Sequence, residues 1–285
     1  MKRLVWFLVP LFVLISALVI DSRSTGLFIL STALKVVDAR PVEKNIAYGE
    51  SAWQKLDVYP QPQIADVIVF VHGGGWHSGN NDQYYFVADA FYQLGYTVVV
   101  LDYHKYPNGR FPQFVQDVAA ALAWVNANIT SYNGDTNRVF LSGHSAGAHS
   151  AALVVSDQRY LKAHGLAPSI IRAFARIAGP YQFTPKWPQY IGAFGKENFE
   201  RMKAGNHIDG DEPSTLLLHA SGDSAVGPFN YQKLHSIMKR AGVPVEGLLY
   251  GDDFNHISIA IKLHPWFTGE VNVGRDVDAF FRRQR

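Results

Sequence analysis

The chain of 285 residues contains no cysteine. That absence excludes disulfides, thiolate metal sites and cysteine nucleophiles, and it leaves the compartment open. Strong net charge is missing too: 26 Lys and Arg face 24 Asp and Glu, a formal net of +2. No basic stripe precedes the short tail Arg282-Arg283-Gln284-Arg285, so nothing marks a nucleic-acid surface. Internal repeats and low-complexity tracts are absent. The first strand-to-helix turn carries neither a G-x-G-x-x-G nor a P-loop lysine, which excludes the common phosphate cradles. The 11 histidines lack metal spacing: His72/His77 and His144/His149 are five apart, against four in a helical H-E-x-x-H. The expectation is a protein with no metal and no cofactor.

What is present begins with an apolar run. Met1-Lys2-Arg3 precedes uncharged residues 4–20, and Asp21 and Arg23 follow. A membrane span needs about 17–25 residues and a signal h-region only about 7–15. Residues 1–24 therefore read as a membrane anchor, with a cleaved signal as the alternative. Lys2 and Arg3 would stay in the cytoplasm and the rest of the chain would lie on the exported side. Residues 25–42 read as a linking amphipathic segment, and residues 43–285 as one domain.

From residue 43 onward strand and helix signals alternate. Apolar runs at 67–71, 97–101, 139–141, 173–177, 215–218 and 247–250 read as buried strands, and 44–48 and 54–59 as opening strands nearer an edge. Helical patterns lie at 83–94, 113–128, 146–155, 230–241 and 276–283. The second has Phe114, Val118, Ala121, Leu122 and Val125 on one stripe, with Asp117 and Asn126 off it. This alternation predicts an α/β fold with a mostly parallel, eight-stranded sheet and helices on both faces. Residues 184–213 break the rhythm with prolines and aromatics and read as a small cap.

Three motifs carry chemistry. Gly143-His144-Ser145-Ala146-Gly147 falls between a strand and a helix, the setting of a nucleophile elbow with an exposed serine hydroxyl. His72-Gly73-Gly74-Gly75-Trp76 follows directly on a strand, and glycine N–H groups there can receive a developing oxyanion. A serine nucleophile needs a histidine base and a carboxylate to orient it. Asp223 and His256 both follow late strands, in the order serine, acid, histidine. Asp252 and Asp253 are rival acids on the loop of His256 itself, while Asp223 is on the preceding loop and better placed for the far ring nitrogen. The expected set is Ser145, Asp223 and His256 as the triad, and Gly74, Gly75 and Ala146 as oxyanion donors. Trp76 and His144 are the expected substrate contacts.

The stretches QKLDVYP (54–60), VFVHGGGWHSG (69–79), FPQFVQDVAAALAWVNANI (111–129), RVFLSGHSAGAH (138–149), SGDSAV (221–226) and NHISI (255–259) resemble the α/β-hydrolase esterases and lipases. The hormone-sensitive-lipase and kynurenine-formamidase-like branches are the most similar, with LDVYP and HGGGW nearer the formamidase-like and isoprenylcysteine-methylesterase-like members. Tyr103-His104 departs from a Tyr-Arg common in the first branch. The resemblance implies an α/β-hydrolase fold, the same triad and the same glycine-rich oxyanion loop. The expected activity is serine-dependent hydrolysis of short to medium acyl or aryl esters. An arylformamidase, a silent scaffold or a lipid-binding protein are the alternatives, and the oligomeric state is open.

Overall fold

The computed structural model describes residues 23–285. The expected anchor at 4–20 lies outside the described residues. Among the described residues no helix is long and apolar enough to cross a membrane.

Eight strands form one sheet. They are β1 (Glu43–Ala47), β2 (Lys55–Tyr59), β3 (Ala65–Val71), β4 (Thr97–Leu101), β5 (Gly134–His144), β6 (Ala173–Ile177), β7 (Ser214–Ala220) and β8 (Val245–Tyr250). Their spatial order is β1-β2-β4-β3-β5-β6-β7-β8. β2 pairs antiparallel with both of its neighbours, β1 and β4, and β3 to β8 are parallel. This is the α/β-hydrolase fold. The central strand β3 alternates its valines and its Ile68 and Phe70 between two separate cores. A strand covered on both faces has no polar side, which is why its sequence reads as an unbroken apolar run.

Helices α1 (Arg23–Val37), α2 (Tyr85–Gln93) and α7 (Val273–Arg282) cover one face. Helices α3 (Gln113–Asn128), α4 (Ala146–Ser156) and α6 (Phe229–Arg240) cover the other. The short α5 (Pro188–Phe194) lies in the cap segment, where no strand forms between residues 184 and 213.

One reading needs correction, and two segments do more than their pattern announced. The amphipathic segment after residue 24 belongs to a helix whose Leu27, Leu30 and Leu34 share one face, buried against the domain. Ser31 Oγ–H donates to the Gln83 carbonyl at 2.8 Å and Lys35 pairs with Asp82 at 2.7 Å. β8, read as buried, is an edge strand with Leu249 46% accessible, and among the described residues no strand pairs beyond it. Asp117 lies off the apolar stripe but is buried. Its Oδ2 accepts from the His104 backbone N–H at 2.8 Å and from His104 Nδ1 at 2.7 Å.

Candidate active site

β5 ends at His144 and α4 begins at Ala146, so Ser145 is the single residue of the turn. Its φ of 55° and ψ of −122° are strained for any residue with a Cβ, a cost of about 1–3 kcal/mol. The turn is held because Ser145 N–H donates to the Ile177 carbonyl at 2.9 Å. Gly147 lets α4 reach this position. A Cβ there would be driven into the carbonyl oxygens of Val71 and His72.

The sequence placed Ser145, Asp223 and His256 together, and the structure brings them into one hydrogen-bonded line. Ser145 Oγ is 2.8 Å from His256 Nε2, and His256 Nδ1 is 2.7 Å from Asp223 Oδ2. A carboxylate only accepts, so Nδ1 carries the hydrogen and Nε2 presents a lone pair to the serine hydroxyl. The other carboxylate oxygen, Oδ1, accepts from the N–H groups of Ala225 at 2.9 Å and Val226 at 2.8 Å. Burial alone would raise the Asp223 carboxyl. The His256 bond and the Val226 N–H outweigh it and keep the pKa below the ordinary value. The rival Asp252 is exposed and accepts from Ser221 Oγ–H at 2.6 Å.

Gly73, Gly74 and Gly75 line a pocket of about 570 Å³ together with Ser145 and His256. Gly74 has φ of 129° and Gly75 of 61°, so the loop turns with residues that carry no Cβ. Among the described residues the N–H groups of Gly74, Gly75 and Ala146 make no hydrogen bond. Three donors therefore remain available around the serine. Gly73 is set apart by the Tyr84 hydroxyl packed against it, 2.8 Å from where a Cβ would stand.

The loop is anchored by charge beneath it. His72 Nε2 lies 3.1 Å from Asp102 Oδ1, and Asp102 is paired with the buried Lys105. Neither Asp102 nor Lys105 carried a motif signal; the hint in the sequence is an acid directly after the Val-Val-Val-Leu run of β4. Burial pushes the Asp102 carboxyl up, but the His72 bond and the Lys105 ammonium prevail and hold it at about 2. A carboxylate depressed on folding adds stability in full above its unfolded value of about 4, and that stability is lost as pH falls toward the folded value. The stability difference between wild type and Asp102→Asn should therefore narrow as pH drops from about 4 to about 2. Thermal melts across that range check it, and a constant difference would refute it.

The expected substrate contacts divide. Trp76 lines the pocket yet is nearly buried. It stacks on Phe183 at 5.6 Å and meets Phe194 edge-on at 4.7 Å. His144 contributes to the pocket wall, but both its ring nitrogens are bonded inside the protein, to Tyr84 and to the His256 carbonyl. It offers a substrate no polar atom. In the cap, Trp187 and Tyr190 line the pocket and Phe194 is core. Asp209, Asp211 and Glu212 bring carboxylates within 4.8 Å of one another, but none of them lines the pocket.

Comparison with known proteins agrees with the fold and with ester hydrolysis as the chemistry among relatives. The family model BD-FAE matches residues 56–167. The chain is 29% identical over 207 residues to the probable carboxylic ester hydrolase LipM of Mycobacterium tuberculosis, covering 64% of this chain and 48% of the relative. It is 26% identical over 247 residues to the isoprenylcysteine alpha-carbonyl methylesterase ICME of Arabidopsis thaliana, covering 78% and 58%. The chain thus spans about half the length of the curated relatives it matches. Among solved structures, a hyperthermophilic esterase from Pyrobaculum calidifontis superposes with a TM-score of 0.73 at 19% identity, covering 98% of this chain and 96% of the other. The chain has the α/β-hydrolase fold, and it is similar in sequence to carboxylic ester hydrolases.

Proposed function

We propose that this chain is a serine carboxylic-ester hydrolase acting on short to medium acyl or aryl esters. The observation that carries the reading is the line Ser145–His256–Asp223, at 2.8 and 2.7 Å, opening into a pocket beside a glycine loop with free N–H groups.

Ser145 Oγ attacks the ester carbonyl while His256 Nε2 takes its proton. The tetrahedral oxyanion falls to the N–H groups of Gly74, Gly75 and Ala146, donors with no other hydrogen bond among the described residues. His256 then returns the proton to the leaving alcohol, which departs. Water, deprotonated by the same nitrogen, releases the acyl group from Ser145. Asp223 holds the tautomer and the ring plane throughout.

Phe183, Tyr190, Trp187 and Phe229 supply apolar surface along the pocket. A volume of about 570 Å³ admits an acyl or aryl group of moderate size. Initial rates on p-nitrophenyl esters from acetyl to dodecanoyl, with N-formylkynurenine beside them, test the reading. We expect the optimum among short to medium chains and a steep fall at dodecanoyl. Preference for the formamide would move the assignment to an arylformamidase. No turnover on any member would remove the reading.

A further inference from the structure

Two buried side chains connect the parts of this site without facing the pocket with a polar atom. His144 closes β5 directly before Ser145, and Tyr84 ends the 3₁₀ turn Asn81–Tyr84 ahead of α2. The direction of each bond between them follows from chemistry. The His256 carbonyl oxygen, 2.9 Å from His144 Nε2, can only accept, so Nε2 carries the hydrogen. Burial, reinforced by the charge of a protonated His256, drives the His144 pKa down to about 3. At neutral pH the ring has one proton, and Nδ1 is a lone pair. The Tyr84 hydroxyl, 3.1 Å away, therefore donates to Nδ1. The Tyr84 oxygen itself packs against Gly73.

A directed chain results: Tyr84 O–H to His144, then His144 N–H to the His256 backbone, with the Tyr84 oxygen packed against Gly73. It starts against the oxyanion loop, passes through the strand end that carries the nucleophile, and finishes on the residue that carries the base. The rings pack along the same path, with His144 and His256 centroids 4.9 Å apart and Tyr84 against both His72 and His144. No spare volume exists at its first link, because a Cβ on Gly73 would lie 2.8 Å from the Tyr84 oxygen. Two apolar side chains would fill this space without the cost of burying polar atoms. What the polar pair adds is a fixed distance between three loops.

We propose that Tyr84 and His144 are positioning residues that hold the oxyanion glycines and the His256 imidazole in register with Ser145. This rests on the serine-hydrolase reading above. Acyl transfer is sensitive to such register, since displacements well under 1 Å in the reacting groups change rates severely. The effect belongs in kcat, because the pair touches no substrate atom.

The test uses the full chain, p-nitrophenyl butyrate and four variants, with melting temperature measured on each. Tyr84→Phe removes one oxygen and keeps the ring. Its kcat should fall about tenfold while KM stays within about twofold. His144→Gln, which can both donate and accept, should retain more activity than His144→Leu. Because Tyr84 acts through His144, Tyr84→Phe combined with His144→Leu should be no slower than His144→Leu alone. A Tyr84→Phe kcat within about twofold of wild type would overturn the proposal, as would losses that multiply in the double variant. If the His144 variants do not fold, Tyr84→Phe decides alone. Ser145→Ala is run beside them: turnover that persists without the serine overturns the hydrolase reading. Turnover that depends on Ser145 but ignores Tyr84 overturns only the positioning role.

Discussion

Replacing Ser145 by Ala should reduce kcat about 100,000-fold on any ester the wild type turns over. The substitution deletes one oxygen, the atom 2.8 Å from His256 Nε2. The rest of the turn is kept. Ser145 N–H still reaches the Ile177 carbonyl, the Cβ remains, and the strained φ of 55° is unchanged. Stability should accordingly stay within about 0.5 kcal/mol of wild type, so lost activity cannot be ascribed to lost fold. A small residue of rate should survive, since Gly74, Gly75 and Ala146 still polarise a bound carbonyl for attack by water. Two readouts check it: steady-state turnover, which should fall to that residue, and covalent labelling by an alkyl phosphonate, which should vanish. A variant that retains one tenth of wild-type kcat would place the nucleophile elsewhere.

The sequence disclosed the parts of this molecule that repeat or alternate. β4 is Thr97–Leu101 and α3 is Gln113–Asn128, both as expected from their patterns alone. The elbow and the glycine loop were legible because each needs particular small residues at a backbone turn, and such needs are local. Polar residues that meet only in space were not legible. Asp117 was separated from the apolar stripe by its charge, yet it is buried because His104 and Gln54 come to it from distant strands and loops. Arg176 vanished inside the apolar run of β6. Its guanidinium is fully buried, over the Phe174 ring at 4.6 Å, and burial lowers its pKa to about 10. Tyr84 had no signal at all, since nothing in Asn81-Asp82-Gln83-Tyr84 announces a phenol that touches His144. Hydrophobic periodicity reports which face a residue points to. It does not report which polar group waits there. His144 illustrates both sides: its place in the motif predicted proximity to substrate, while its hydrogen bonds turn it inward.

Asp223→Asn should cost about 10,000-fold in kcat, and Asp252→Asn less than about twofold. The asymmetry follows from the bonds that each carboxylate already makes. Asp223 Oδ1 accepts two backbone N–H groups, from Ala225 and Val226. An asparagine there must keep its carbonyl oxygen on those donors, because its amide N–H groups would oppose them. The amide nitrogen is then forced into the position of Oδ2, 2.7 Å from His256 Nδ1. It can only donate, so Nδ1 becomes the lone pair and the ring hydrogen moves to Nε2. Nε2 now presents N–H to Ser145 and cannot take its proton. The ring would be in place with the wrong tautomer, and raising the pH would not restore it. Asp252 differs in each respect. It is exposed, and its single bond accepts from Ser221 Oγ–H, which an asparagine oxygen accepts equally well. Measured kcat values of the two variants on one ester decide between the acids. Near-equal rates for Asp223→Asn and wild type, with a collapse in Asp252→Asn, would transfer the orienting role to the loop of His256 itself. The expected result ties the base to a carboxylate whose second oxygen is locked to the backbone, and that lock makes a change of one atom so costly.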